Sequence, residues 1–300
     1  MSEVGTLIRH WRNARRISQL ALAAESAVSL RHLSFIETGR SSPSRAMVLK
    51  LAEVLDVPLR ERNTLLLAAG FAPVYRESAL DGPELAEVRQ ALDAILAQQE
   101  PYPALIIDRD WNIRYANGAA ARFFAFLQAG HVTAAPGPPN VLRRMFHPDG
   151  IRRYVRNWPE VAEALVRRVR REAIGGVSDE RAQTILREVL AYPGVPASLR
   201  SLDAILPTMP VIPIQYARDG RRFDYFSTVT TLGTAQDITL QELRIECFFP
   251  ADDATRDQAT SLAMSRSRVN SESDPAPQGV EHDLRAGLRD QRMTPQAEQQ

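Results

Sequence analysis

Between Arg16 and Arg40 the sequence RISQLALAAESAVSLRHLSFIETGR gathers the side chains best suited to reading a nucleic acid. Arg31, His32, Ser34 and Phe35 lie close together, and Gln19, Ser29 and Arg40 bracket them. Arginine donates bidentately to a guanine edge, an amide such as that of Gln19 grips a phosphate or a base edge, and Phe35 suits a thymine methyl. Ser29 and Arg40 suit phosphates, contacts that set register without reading sequence. Glu37, in the same stretch, would be repelled by phosphate, so it reads as a structural group bonded inside the fold. These groups act together only if a rigid element presents them.

Two short helices separated by a brief break supply that element. Ser18 is a good N-cap for the first, and Leu20, Leu22, Ala23 and Ala24 give it an apolar side. Leu30, Leu33 and Ile36 recur at i, i+3 and i+6, so the second has one stripe to bury. Glu25-Ser26-Ala27-Val28 forms the break, Ser29 caps the second helix and Gly39 ends it. A short, basic, hydroxyl-bearing helix face of this kind suits a DNA major groove. Three further helices follow from pattern. Val4–Arg15 carries Leu7, Ile8 and Trp11 on one side. SSPSRAMVLKLAEVLDV starts after Pro43, with Ala46, Leu49, Leu51, Ala52 and Leu55 largely inward. RERNTLLLAAGF is stopped by Gly70. Five helices in the first 72 residues predict an all-α helix-turn-helix bundle.

Three hundred residues suit two domains, and the 44% hydrophobic and 24% charged content belongs to the globular class. A formal net charge of +1 removes any whole-chain argument for nucleic-acid binding. Residues 1–72 hold nine Arg and one Lys against six Asp and Glu, a local excess of four that counts only beside a motif. No apolar run is long enough to span a membrane, and the first residues do not read as a signal peptide. Cys247 is the single cysteine, which excludes an internal disulfide framework and fits a reducing, cytoplasmic setting. The five histidines lack metal-ligand spacing, Cys247 has no cysteine partner, and AIGGVS lacks the lysine of a phosphate loop. No catalytic constellation, metal or cofactor is therefore expected.

Beyond the bundle, residues 73–83 read as a Pro-containing linker and 84–98 as a helix. PYPALIIDRDWNIRYANGAAARFFAFL then reads as strand, Asp-rich turn, strand and helix. A broken helix, a long basic helix to about Ile174 and another over roughly 179–192 follow. MPVIPIQYA, RFDYFSTVTTLG and LQELRIECFF then read as three strands. Two strands early, helices in the middle and three strands late is the order of a PAS-like α+β sheet. The tail, 265–300, is polar and mixed in charge and is expected to be disordered, with a transient helix over 281–292.

Residues 4–57 resemble the Xre-type helix-turn-helix of phage repressors and bacterial regulators through Ser18-Gln19, Leu22-Ala23, Val28-Ser29, Ile36-Glu37-x-Gly39-Arg40 and Leu51-Ala52. Ala27 departs from that pattern, since the family's turn often has glycine there. Residues 84–258 resemble the PAS-like ligand-binding domain of MmyB-like transcription regulators through PYPALIIDRDWNIRYAN, Asn140, FHPDG, NWPEVA and FFPADDAT. The resemblance implies a one-component regulator. Residues 1–72 would bind double-stranded DNA, sequence-specifically and as a homodimer. Residues 84–264 would sense a small ligand.

PAS-like sheets commonly keep a cavity between sheet and helices. Here Phe123, Phe124, Leu127, Met145, Phe146, Trp158, Leu186, Phe226 and Phe248 supply apolar surface for one. Such a cavity prefers a long apolar ligand, a fatty acid or similar lipid acting as effector, with Arg122, Asn140, His147 or Arg168 near its polar head. The competing reading of FHPDG is plain turn chemistry, with His147 bracing the turn. The alternative function is a DNA-bound scaffold whose second domain recruits a protein and binds no metabolite.

Overall fold

The computed structural model describes residues 2–129, 138–174, 180–201 and 211–272. The chain divides into two units, Met1–Ala263 and Met264–Gln300.

The first five helices are α1 (Glu3–Ala14), α2 (Gln19–Glu25), α3 (Leu30–Thr38), α4 (Arg45–Val54) and α5 (Leu59–Ala68). Serine hydroxyls at Ser2, Ser18, Ser29 and Ser44 accept the first free N–H groups of α1 to α4, which is why each starts where it does. Gly39 and Gly70 take positive φ at the ends of α3 and α5. The break between α2 and α3 needs the same left-handed geometry at Ala27, where φ is 50°. Val4, Ile8, Trp11, Leu22, Leu33 and Ile36 form one side of the core, and Val48, Leu51, Leu55, Leu65 and Leu66 close it. Leu20 and Leu30 do not join, at 67% and 44% exposed. Leu20 stands about 200° around the helix from Leu22, so both cannot face one core. Leu30 is the first residue of α3.

The next region holds α6 (Ala86–Gln98), β1 (Ala104–Ile107), β2 (Ile113–Ala116), α7 (Gly118–Gln128), α8 (Val141–Phe146), α9 (Trp158–Ile174) and α10 (Glu180–Leu190). Then come β3 (Ile212–Arg218), β4 (Arg221–Thr230), α11 (Ile238–Glu242), β5 (Arg244–Pro250) and α12 (Asp253–Glu272). The strands form one antiparallel sheet in the order β2-β1-β5-β4-β3. Alternation along the strands gives it two faces. Leu105, Ile107, Ile214, Tyr216, Phe223, Tyr225 and Phe248 face a large core built with α7 to α10. Ala104, Ile106, Ile245 and half-buried Cys247 face the other way, against α6. Two expectations are corrected. The first half of LQELRIECFF is helical, because the Asp237 carboxylate accepts the Thr239 N–H at 2.9 Å and starts α11. Helix α12 also runs to Glu272, eight residues into the expected disordered tail. The rest of that tail, 273–300 with its transient helix, lies outside the described residues.

The linker is tied down along much of its length. Asn63 on α5 accepts the Val74 and Tyr75 N–H groups at 3.0 and 3.1 Å and donates to the Tyr75 carbonyl at 2.8 Å. The Ile238 N–H donates to the Arg76 carbonyl at 2.8 Å, and the Thr239 hydroxyl to the Ser78 carbonyl at 2.7 Å. The head also touches α11 directly, where the Leu59 N–H donates to Gln241 Oε1 at 2.7 Å. Arg60 donates to Glu242 at 2.8 and 2.9 Å and to Glu77 at 2.8 Å, while Arg109 reaches the same Glu242 at 2.9 Å.

Candidate functional site

The outward face of α2 and α3 is built around a buried acid. The Glu37 side chain is fully buried. It accepts from Arg12 at 2.7 and 3.1 Å, from Gln19 Nε2 at 2.7 Å and from Arg9 at 3.4 Å. Burial pushes its pKa up, but the bonds from Arg12, Gln19 and Arg9 and the Arg12 charge outweigh that and hold it below the ordinary carboxylate range. Glu37 thereby has the structural role read from the sequence. It also orients Gln19, spending one of that residue's two amide hydrogens.

Around this anchor the residues expected to meet DNA lie on or beside α2 and α3. Ser29 Oγ accepts the His32 N–H at 3.2 Å as the cap of α3. Arg31 is exposed, with its guanidinium 5.3 Å from the Phe35 ring centroid, and Arg40 lies 6.0 Å from the same ring. Phe35 is half-buried and forms the centre of a basic-aromatic cluster. His32 and Ser34 are also half-buried on the same short helix. The structure therefore brings Arg31, Phe35 and Arg40 together and leaves Gln19 and Ser29 with internal duties as well.

A cavity of about 30 Å³ lies beneath the sheet, walled by β1, β3 and the middle of β5, the start of β2, and helices α7 to α9. Three of the expected ligand residues line it: Phe124, Met145 and Phe248. Phe123, Leu127, Phe146, Trp158 and Leu186 sit instead in the surrounding core. Phe123 packs against Phe124, Tyr216, Phe223 and Tyr225, with ring centroids 5.1 to 5.4 Å apart. Trp158 donates its indole N–H to the Met145 carbonyl at 2.9 Å. Phe226 is on the wrong face. It pairs in register with Phe249 and stacks on it at 5.4 Å, while its neighbour Tyr225 takes the inward position.

The expected head-group residues also have other work. Asn140 caps α8, accepting from Leu142 and Arg143 N–H and donating to the Asp110 carbonyl at 2.8 Å. Arg122 pairs with Glu100. His147 Nδ1 accepts the Asp149 N–H at 3.1 Å, so it braces its turn, and its ring meets Tyr192 edge-on at 5.2 Å. Arg168 lies over the Trp111 ring at 4.8 Å.

Arg144, Tyr216 and Glu246 supply the polar groups of the wall instead. Burial raises the pKa of Glu246, against the pull of the Arg168 charge and the Ser227 hydroxyl. Burial also raises that of the Tyr216 phenol. Burial lowers the pKa of the Arg144 guanidinium, the basic group of the lining. A signal for these was present in the sequence. Arg144 follows Val141 by three on α8, and Glu246 shares strand parity with Phe248. Among the described residues no group of three His, Cys, Asp or Glu could hold a metal ion, and no helix is long and apolar enough to cross a membrane.

Comparison with known proteins agrees with this two-part layout. Residues 88–262 match the family model described as MmyB-like transcription regulator ligand binding domain, and residues 8–62 match a helix-turn-helix model. The chain is 33% identical over 107 residues to the uncharacterized HTH-type transcriptional regulator RghRB of Bacillus subtilis (strain 168), an alignment covering 35% of this chain and 68% of that protein. A solved structure of an RNA-binding Light-Oxygen-Voltage receptor aligns at 14% identity and a TM-score of 0.25. It covers 90% of this chain, which spans 65% of that structure's length.

Proposed function

This chain belongs to the MmyB-like transcription regulators, DNA-binding proteins with a helix-turn-helix and a ligand-binding domain, and from that premise we propose how each part works. The α2–α3 face reads a two-fold symmetric operator as part of a homodimer, since one short recognition helix per chain is too small a readout for genomic specificity. The cavity beneath the sheet takes a small apolar, fatty-acyl-like ligand. The observation that carries this reading is the lining: eleven of the fourteen residues around the cavity present only hydrocarbon or thioether surface.

At about 30 Å³ the cavity holds one or two waters, far less than a ligand pocket of some hundreds of Å³. An acyl chain enters only as α8 and α9 lift from the sheet, and that displacement is what makes the ligand a signal. The bonds that tie the linker to α5 and α11 point to the contact between the head and α11 as the transmitter. Glu246 lines the cavity on β5, and four residues earlier Glu242 grips Arg60 of the head.

Footprinting and salt titration test the DNA half. Arg31→Ala is expected to lose about 1–3 kcal/mol of discrimination at particular base pairs. Arg40→Ala is expected to weaken all sequences alike and reduce the salt slope by about one. A short asymmetric footprint at saturation would rule out the dimer. For the ligand half, delipidated protein is expected to show a rise in Tm with acyl chains. No shift at any chain length would end the apolar-ligand reading and leave the regulator.

A further inference from the structure

We propose that the sensor carries a second ligand site, a polar cleft beside the head contact that takes a small zwitterion such as a free α-amino acid.

The cleft is open, has a volume of about 520 Å³ and shares no lining residue with the apolar cavity. That volume lies in the range of small-molecule sites. Its wall includes Asp110 and Asn112 from the β1–β2 turn, Asn140 and Arg143 at the start of α8, and Arg181 and Thr184 on α10. Asn112 and Asn140 bond to each other at 3.0 Å, and Arg143 holds Glu188 through two bonds of 2.8 and 2.9 Å. Asp110 is not committed in this way. Its Oδ1 is withdrawn from solvent and accepts no hydrogen bond among the described residues, and its Oδ2 meets Arg181 Nη1 at 3.4 Å. A carboxylate offers about four acceptor positions, and charge-assisted bonds to it run at about 2.7–2.9 Å, so this long contact leaves it under-bonded. An ammonium group brings the short donors that such a carboxylate lacks.

The opposite charge stands on α10. The Arg181 side chain is 78% exposed, and Thr184 follows it by one turn, so guanidinium and hydroxyl share a helix face. The Thr184 hydroxyl accepts from Arg187 at 3.2 Å and still has its own hydrogen to donate. Together the two groups suit a carboxylate. A molecule carrying both charges replaces the long Asp110–Arg181 contact with short ones and leaves the charge of the site unchanged. A lone amine or a lone carboxylate leaves one partner unmatched.

The place of the cleft couples it to the head. Arg109, next to Asp110, donates to Glu242 at 2.9 Å, and Glu242 holds Arg60. The Arg60 hydrogen bond holds Glu77 below the ordinary carboxylate range, and the charges of Arg109 and Arg181 add to that pull. A ligand carboxylate on Arg181 weakens the pull and is expected to loosen the contact.

The test uses delipidated full-length protein with 1-octanol in excess, which fills the apolar cavity without adding a charge. The standard L-amino acids are screened for a rise in Tm. Each that gives one is titrated by calorimetry beside its decarboxylated amine and its deaminated acid. At least one amino acid is expected to bind about 10-fold or more tighter than both of its analogues. Asp110→Asn and Arg181→Ala are each expected to weaken that binding about 10-fold or more, with the unliganded Tm unchanged. Saturating amino acid is expected to speed proteolysis within 73–83 in the wild type and not in Asp110→Asn.

No rise in Tm with any amino acid would overturn the proposal and leave the apolar-ligand reading, which rests on other residues, untouched. An amine or acid that binds as tightly as its amino acid would overturn it too, as would binding that survives both substitutions. An unchanged cleavage rate at saturation would remove the coupling to the head.

Discussion

The head encloses a charged side chain and the sensor holds one half-buried at a cavity, and they treat it in opposite ways. In the head, Glu37 is enclosed with Arg12, Gln19 and Arg9 already bonded to it. In the sensor, Arg144 lines a cavity with no bonded partner among the described residues, and burial raises the pKa of Glu246 in the same lining. A buried polar group is tolerated when satisfied and costly when not. The Glu37 cluster of the head is therefore satisfied from within, although the buried indole N–H of Trp11 in the same core has no partner among the described residues. In the sensor, the Arg144 side chain keeps no such set of partners among the described residues.

The sharpest way to break this contrast is Glu37→Ala. Removing the acid leaves the half-buried Arg12 and Gln19 without their partner, an expected cost of about 3 kcal/mol to the head in urea or thermal unfolding. Acid provides a second reading. The folded pKa of Glu37 lies below the unfolded value of about 4.3. Its contribution is thus fully present above that value and is lost as pH falls through the lower folded one. Glu37→Gln is expected to flatten the stability profile over that acidic window. An unchanged profile would mean the acid does not anchor the head.

Packing gives the next largest difference. Val48→Leu in the head core forces in an extra methylene, with an expected cost of about 1–3 kcal/mol. Val161→Leu puts the same methylene beside the sensor cavity, where burying it gains up to about 0.8 kcal/mol, and it should weaken octanoate binding. Equal costs at both positions would show the sensor core to be as closely filled as the head. Smaller still is the seam. Arg60→Ala is expected to lower stability by only about 1 kcal/mol, because Arg60 and its partners are partly solvated. Its clearer readout is faster proteolysis within 73–83, which unchanged cleavage would contradict. Least is Ala27→Gly, expected to stabilise the head by about 0.5–1 kcal/mol by relieving the left-handed backbone of the helix-turn-helix break. Lower stability would mean the entropy of glycine outweighs that strain.

Much of this was legible in the sequence, and the exceptions share a cause. Ser18, Ser29 and Gly39 cap their helices as their types and positions suggest. Phe124, Met145 and Phe248 were named as ligand residues and do line the cavity. Phe226 was assigned inward because it is aromatic, but pairing with Phe249 set the strand's parity the other way. Asn140, Arg122 and His147 were read as head-group candidates because they are polar, yet each is engaged by nearby backbone or an ion pair. Arg144 and Glu246 escaped because a polar residue reads as outward until its element is placed against another.

What the sequence determined by itself is the inventory and its punctuation: five helices, with Ser18 and Ser29 as caps and Gly39 and Gly70 as stops, then strands and helices in PAS-like order. Caps, turns and periodicity depend on neighbours within about four residues, so they can be read along the chain. The tertiary structure alone decided which of Arg143 and Arg144 meets an acid and which meets a cavity. It also decided that the linker is pinned instead of free. Those outcomes depend on groups far apart in sequence, such as Leu59 and Gln241, separated by 182 positions. Burial and pairing of that kind exist only once the chain has closed on itself.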